Sequence, residues 1–186
     1  MASVTYFYFD FRDVNKQHRQ GLLSSLLVQL SAESDPCYEI LFSLYSAHAS
    51  GVRRPTDAAL TQCLKDMLGC RKRAATFIII DALDECPKTS GLQTAREKVF
   101  QLVEMLVDLQ LADLRICVAS RPEVDIRDFL GPLTSLQVSL HDETGQRKDI
   151  LDFITKVVHT DPKMRKWRKE DKKLVIKTLS DKSDGM

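Results

Sequence analysis

None of the seven glycines in this chain is followed by lysine, so the phosphate-cradling pattern G-x-x-x-x-G-K-[ST] is absent from all 186 residues. That pattern works because glycines let backbone N–H groups approach phosphate oxygens while the lysine and hydroxyl reach phosphate and magnesium. Long apolar runs are missing too. No stretch approaches the roughly 18 to 20 residues of a membrane span, and the run from Val4 to Phe11 carries Asp10 where a signal peptide needs continuous apolarity. A soluble, cytoplasmic protein is expected. Net charge is nearly absent, with 27 basic and 26 acidic residues leaving +1, which removes any global electrostatic pull toward nucleic acid or anionic membrane. Cys37, Cys63, Cys70, Cys86 and Cys117 form an odd set without C-x-x-C or Cys/His ligand spacing, which argues against a disulfide framework or zinc site and for reduced thiols. His18, His48, His141 and His159 are scattered without ligand spacing. Repeats, low-complexity tracts and Pro/Gly-rich linkers are lacking as well.

What is present is a core-forming chain, 44% hydrophobic and 28% charged, of the size of one domain. The β-branched and aromatic run Val4 to Phe11 predicts a strand. Leu22, Leu23, Leu26, Leu27 and Leu30 recur at helical spacing between Lys16 and Ala32. Pro36 suits the first turn of a second helix that runs toward Gly51, and Thr56 is placed to cap a third through Leu68. The apolar run Phe77 to Ile80 predicts a strand, Thr94 to Leu111 a long helix, and Leu114 to Ala119 another buried strand that contains Cys117. A short helix at Val124 to Leu130, a brief strand at Leu136 to Leu140, a helix at Lys148 to Val158 and a charged helix at Lys169 to Leu179 follow. Near-continuous apolar strands alternating with amphipathic helices predict an α/β three-layer fold, a parallel sheet with helices on both faces.

The run Thr76 to Cys86 carries the most chemistry, because it delivers Asp81, Asp84 and Glu85 to the carboxyl end of a strand. Ligands of α/β folds bind beyond the carboxyl ends of strands. A phosphate-bound magnesium ion takes one or two protein carboxylates and keeps several waters, so these acids suffice for it. The alternative is that these acids only cap the next helix and solvate a loop, and it loses ground once the following strand end is counted. Ala119-Ser120-Arg121-Pro122 ends the next strand, and the proline drives Arg121 toward extended geometry at the same sheet edge as Asp81. Arg121 can neutralise charge on a transferred phosphoryl group or pair with one of the acids, and the two roles are compatible. Cys86 reads as a packed small residue rather than a nucleophile, having no adjacent histidine. The basic stretch Lys163 to Lys173 around Trp167 is interrupted by Glu170 and Asp171 and reads as a solvated helical segment.

The sequence Ile78-Ile79-Ile80-Asp81-Ala82-Leu83-Asp84-Glu85-Cys86 resembles the Walker B motif of NACHT-type P-loop NTPases, the STAND-class signal-transduction ATPases that include the Nod-like receptors. Tyr6 to Asp13, Ser120-Arg121-Pro122, Asp149-Ile150 and Leu179 to Met186 are similar to fungal proteins with a nephrocystin-type NACHT domain. The resemblance implies a partial nucleotide-binding domain over residues 1–160 and the start of a helical segment over 161–186. It implies that Asp81 orders the shell of a magnesium ion bound with ATP or GTP, that Asp84 or Glu85 polarises the attacking water, and that Arg121 senses the γ-phosphate. Nucleotide state would then control self-association.

The same resemblance puts the phosphate-loop strand upstream of this chain, and in the middle of the sheet, between the strands at Ile116 to Ala119 and Leu136 to Leu140. Without it the Leu136 to Leu140 strand should be shifted against its neighbour or detached. The chain alone should bind ATP poorly and be marginally stable. The alternative function is a non-catalytic interaction module or truncated product.

Overall fold

The computed structural model describes residues 2–70, 75–88, 93–139 and 144–182. They form two compact units, residues 1–133 and 134–186. The basic residues Arg71, Lys72 and Arg73, which precede the second strand in sequence, and the end of the Leu179 to Met186 motif lie outside the described residues.

In the first unit, strands β1 (Ser3–Tyr8), β2 (Thr76–Asp81) and β3 (Leu114–Val118) make a parallel sheet in the order β1-β2-β3. The register pairs Tyr8 with Asp81 and Ile80 with Val118, so the three carboxyl ends are level. Helices α1 (Arg19–Glu33), α2 (Asp35–Ala47) and α3 (Asp57–Leu68) connect β1 to β2, α4 (Ala95–Asp108) connects β2 to β3, and α5 (Val124–Leu130) follows. The predicted helices form where their caps and stripes put them. Thr56 accepts the Ala59 N–H at 3.2 Å to start α3, and Thr94 with Glu97 makes a reciprocal capping box at the start of α4. The leucine stripe of α1 is fully buried and joins Phe7, Phe9, Leu64, Met67, Ile78, Ile80, Leu102 and Leu106 in one core. Phe7 and Phe9 meet edge to face, 5.0 Å between centroids, and Phe100 of α4 stacks on Phe129 of α5 at 4.3 Å.

The prediction of helices on both faces of the sheet is corrected by the strand burial. β1 and β2 alternate strictly, with Ser3, Thr5, Phe7, Thr76, Ile78 and Ile80 turned into the core. The opposite face leaves Val4, Tyr6, Tyr8, Phe77 and Ile79 between 36% and 57% exposed. Cys117, expected in a buried strand, lies in β3 but is exposed. An apolar run shows that a strand tolerates burial on both sides; a second layer depends on other segments, and the helices that share a core with this sheet use one face.

The two sheet edges differ. Tyr6 of β1 donates its N–H to Gln29 Oε1 at 3.0 Å and accepts from Gln29 Nε2 at 2.8 Å, so an α1 side chain replaces a strand partner. The Ser3 hydroxyl donates to Glu33 on the same helix. β3, in contrast, has β2 on one side and no strand on the other among the described residues. The predicted strand at Leu136 to Leu140 is corrected as well: residues 136–139 form no strand, and Leu140 lies outside the described residues. Leu136 and Val138 are exposed, and β-propensity without a pairing partner cannot hold a strand.

In the second unit, α6 (Thr144–Thr160) packs against α7 (Lys169–Lys182), with Val158 buried. Between them Asp161 accepts the Lys163 N–H at 2.8 Å, capping a short turn. Among the described residues no helix is long and apolar enough to cross a membrane.

Candidate functional site

The acidic turn begins where β2 runs out of pairing. Phe9 N–H donates to the Asp81 carbonyl at 3.0 Å and Ala119 N–H donates to the Ile80 carbonyl at 2.8 Å, which clamps the strand end from both sides. The chain then leaves the sheet through Ala82, which adopts left-handed backbone angles of φ 53° and ψ 43°. Leu83–Glu85 make one 3-10 turn with Leu83 fully buried. Leu83 is buried beneath the turn, between the acids on either side of it.

The three carboxylates fan out. Asp81 is exposed, and its Oδ1 accepts the Ala82 N–H at 2.8 Å. Asp84 turns toward the end of β3, where its Oδ1 accepts the Arg121 N–H at 3.0 Å and its Oδ2 lies 3.5 Å from Arg121 Nε. The Asp84 side chain is 10% exposed and that of Arg121 is 82% exposed, so the acid is a fixed anchor and the guanidinium largely faces water. Glu85 turns the other way and accepts the Phe11 N–H, just past β1, at 3.2 Å. The turn is therefore tied to the segments that follow both neighbouring strands. Among the described residues no three His, Cys, Asp or Glu side chains converge as a ready-made metal site. A cation would draw one carboxylate from Asp81 and most of its other ligands from phosphate and water, a donor set that suits magnesium.

A shallow cleft of about 350 Å³ lies beside the turn, lined by Phe11, Asp84, Glu85, Lys88, Arg121 and Glu123 among others. Its floor contains a residue that sequence reasoning passed over. Arg96, in the first turn of α4, is 3% exposed. Its Nε donates to the Cys86 carbonyl at 3.0 Å, Nη2 donates to the Asp84 carbonyl, and Nη1 reaches Glu123 Oε2 at 2.5 Å and Asp125 Oδ2 at 3.1 Å. Lys88 Nζ pairs with both carboxylates at 2.8 Å, sharing Glu123 Oε2 with Arg96 and taking the other oxygen, Oδ1, of Asp125. Hydrogen bonds from Lys88 and Arg96 hold the Glu123 carboxyl below its ordinary value. Burial pushes Asp125 upward, but the same two cations outweigh it and its carboxyl is also held low. Burial likewise opposes the charge on Arg96, and its bonds to Glu123 and Asp125 more than restore it. Glu123 occupies the N-cap position of α5 without capping it, because its carboxylate is taken by these cations. A signal for Arg96 was available: it stands on the buried stripe of α4, three, four and seven residues before Val99, Phe100 and Val103.

Cys86 is fully buried with its Sγ 3.5 Å from the Gln17 carbonyl, and burial pushes its thiol up to about 11, as expected of a packed residue.

The profile of the nephrocystin 3, N-terminal, family matches residues 1–121. The chain belongs to that family. No curated protein and no solved structure matches it. The nephrocystin 3, N-terminal, match runs from β1 through all three strands and ends at Arg121, so it takes in the acidic turn, Arg96 and the turn after β3.

Proposed function

We propose that this nephrocystin 3 N-terminal module supplies the magnesium and water side of a nucleotide-dependent switch, with Asp81 as the carboxylate that holds the cation. The observation that carries the reading is the placement of Asp81, exposed and level with the carboxyl ends of the neighbouring strands, at the position where α/β folds bind ligands. When bound, magnesium would neutralise phosphate charge. Arg121 would face the γ-phosphate from the neighbouring strand end. Asp84 orients Arg121 through its backbone and side chain, which makes Glu85 the better candidate to polarise water: it is held by one backbone N–H, whereas Asp84 is committed to Arg121. Because G-x-x-x-x-G-K-[ST] is absent from the chain, the phosphates lack their backbone cradle and affinity for ATP or GTP alone should be poor. The switching output would be self-association.

The test uses manganese in place of magnesium. Mn²⁺ with ATP should broaden the amide resonances of Asp81 to Glu85 in the wild-type chain and leave them sharp in Asp81→Asn. Broadening that survives the substitution refutes the role of Asp81, and calorimetric binding of magnesium–ATP at micromolar affinity refutes the dependence on a separate phosphate loop.

A second reading, a non-catalytic interaction module, is favoured by the apolar outer face of the sheet and the open edge of β3. It takes over if neither cation nor nucleotide perturbs the acidic turn.

A further inference from the structure

We infer that Arg96 is a positioning residue that locks the acidic turn to the segment carrying Arg121, so that the two sides of the site move as one. The inference rests on the nucleotide-site reading above for its purpose, though not for its geometry.

One planar guanidinium spans two separate pieces of chain. On one side it donates to the carbonyls of Asp84 and Cys86, the residues that bracket Glu85. On the other it holds Glu123 and Asp125, which follow Arg121 by two and four positions. The two segments also meet directly, through Leu83 N–H to the Ala119 carbonyl at 3.1 Å and Arg121 N–H to Asp84 Oδ1 at 3.0 Å. Asp84 and Arg121 line the cleft, and the buried Arg96 ties the same two segments a second time.

Stability alone does not explain the choice of arginine. Buried ion pairs can often be replaced by apolar residues at no net cost, and Arg96 already stands on an apolar stripe where leucine or methionine would pack. An apolar residue cannot satisfy two carbonyls and two carboxylates at once. Lysine cannot either, because its three donors radiate from one point rather than lying in a fixed fork. What arginine adds is register between the turn and the Arg121 segment.

The experiment is amide hydrogen exchange by NMR on the full chain. In Arg96→Lys and Arg96→Met the Leu83 and Arg121 amides should exchange at least about tenfold faster relative to Ile78 and Ile80 of β2, the size expected from losing one charge-assisted hydrogen bond. Glu123→Gln combined with Asp125→Asn leaves Arg96 in place but strips the charge from its far anchor. That variant should show the same local pattern, and it carries the test if Arg96→Met does not fold. The inference is overturned if Leu83 and Arg121 are unchanged, or if all four amides accelerate together as in plain global destabilisation. The manganese arm separates the two ideas. Local acceleration in variants of a chain whose wild type shows no Mn²⁺–ATP broadening keeps the lock and discards the nucleotide reading; broadening in the wild type without local acceleration in the variants discards the lock alone.

Discussion

Ala82 is the residue at which the backbone of the acidic turn is strained, and replacing it by glycine sets two effects of opposite sign against each other. An L-residue in the left-handed region costs roughly 1–2 kcal/mol, and φ 53° with ψ 43° places Ala82 there. Glycine removes that cost but enlarges the conformational freedom of the unfolded chain, a loss of about 0.4–1 kcal/mol. The strain is the larger quantity, so Ala82→Gly should stabilise the first unit by about 0.5–1 kcal/mol. At about 2–4 °C per kcal/mol for a chain of this size, the midpoint should rise by about 1–4 °C. Ala82→Val goes the other way, because a β-branched side chain is a worse occupant of this region. The assay follows thermal unfolding by the near-ultraviolet dichroism of tyrosine. All four tyrosines, Tyr6, Tyr8, Tyr38 and Tyr45, lie in the first unit, whereas Trp167 lies in the second and reports on it separately. A glycine variant that melts below the wild type, or a valine variant that melts with it, would refute the assignment of strain to this turn.

Two further outcomes follow from the charges and thiols. Glu123 and Asp125 have folded pKa values below their ordinary 4.5 and 3.8, so the native state favours their ionised forms; the stability they contribute is complete above those ordinary values and lost as pH falls through the lower folded ones. Acid titration of urea-unfolding free energy should show that decline in the wild type and a shallower one in Arg96→Met, and equal slopes would contradict the coupling. With maleimide reagents at neutral pH, the exposed Cys117 should be modified before Cys86 and Cys63, both buried with thiols pushed up to about 11. Mass mapping that finds Cys86 labelled first would overturn its placement in the core.

Much of the scaffold was legible because it rests on local rules. The leucine stripe of α1, the Thr56 cap and the apolar run of β2 each specify an element through periodicity or a single hydrogen bond, and each forms as read. The strand read at Leu136 to Leu140 failed for the complementary reason: a strand exists only with a neighbour, and propensity carries no information about one. The site divides in the same way. Asp81, Asp84, Glu85 and Arg121 were identifiable as polar residues at strand ends. Their divergence was not, since it depends on Leu83 turning inward and on backbone donors at Phe11 and Arg121 that are distant in sequence.

The sequence by itself determined the helices and strands of the first unit, the acidic strand end and the lack of a phosphate-binding loop, all of them properties of contiguous residues. Only the tertiary structure decided that one sheet face stays exposed, that Gln29 closes the β1 edge, and that Arg96 joins the acidic turn, 10 and 12 residues before it, to Glu123 and Asp125, 27 and 29 residues after it, through one buried guanidinium. Those features depend on which side chains meet across long chain separations, and a buried charge reveals its role only through the partners that make its burial tolerable.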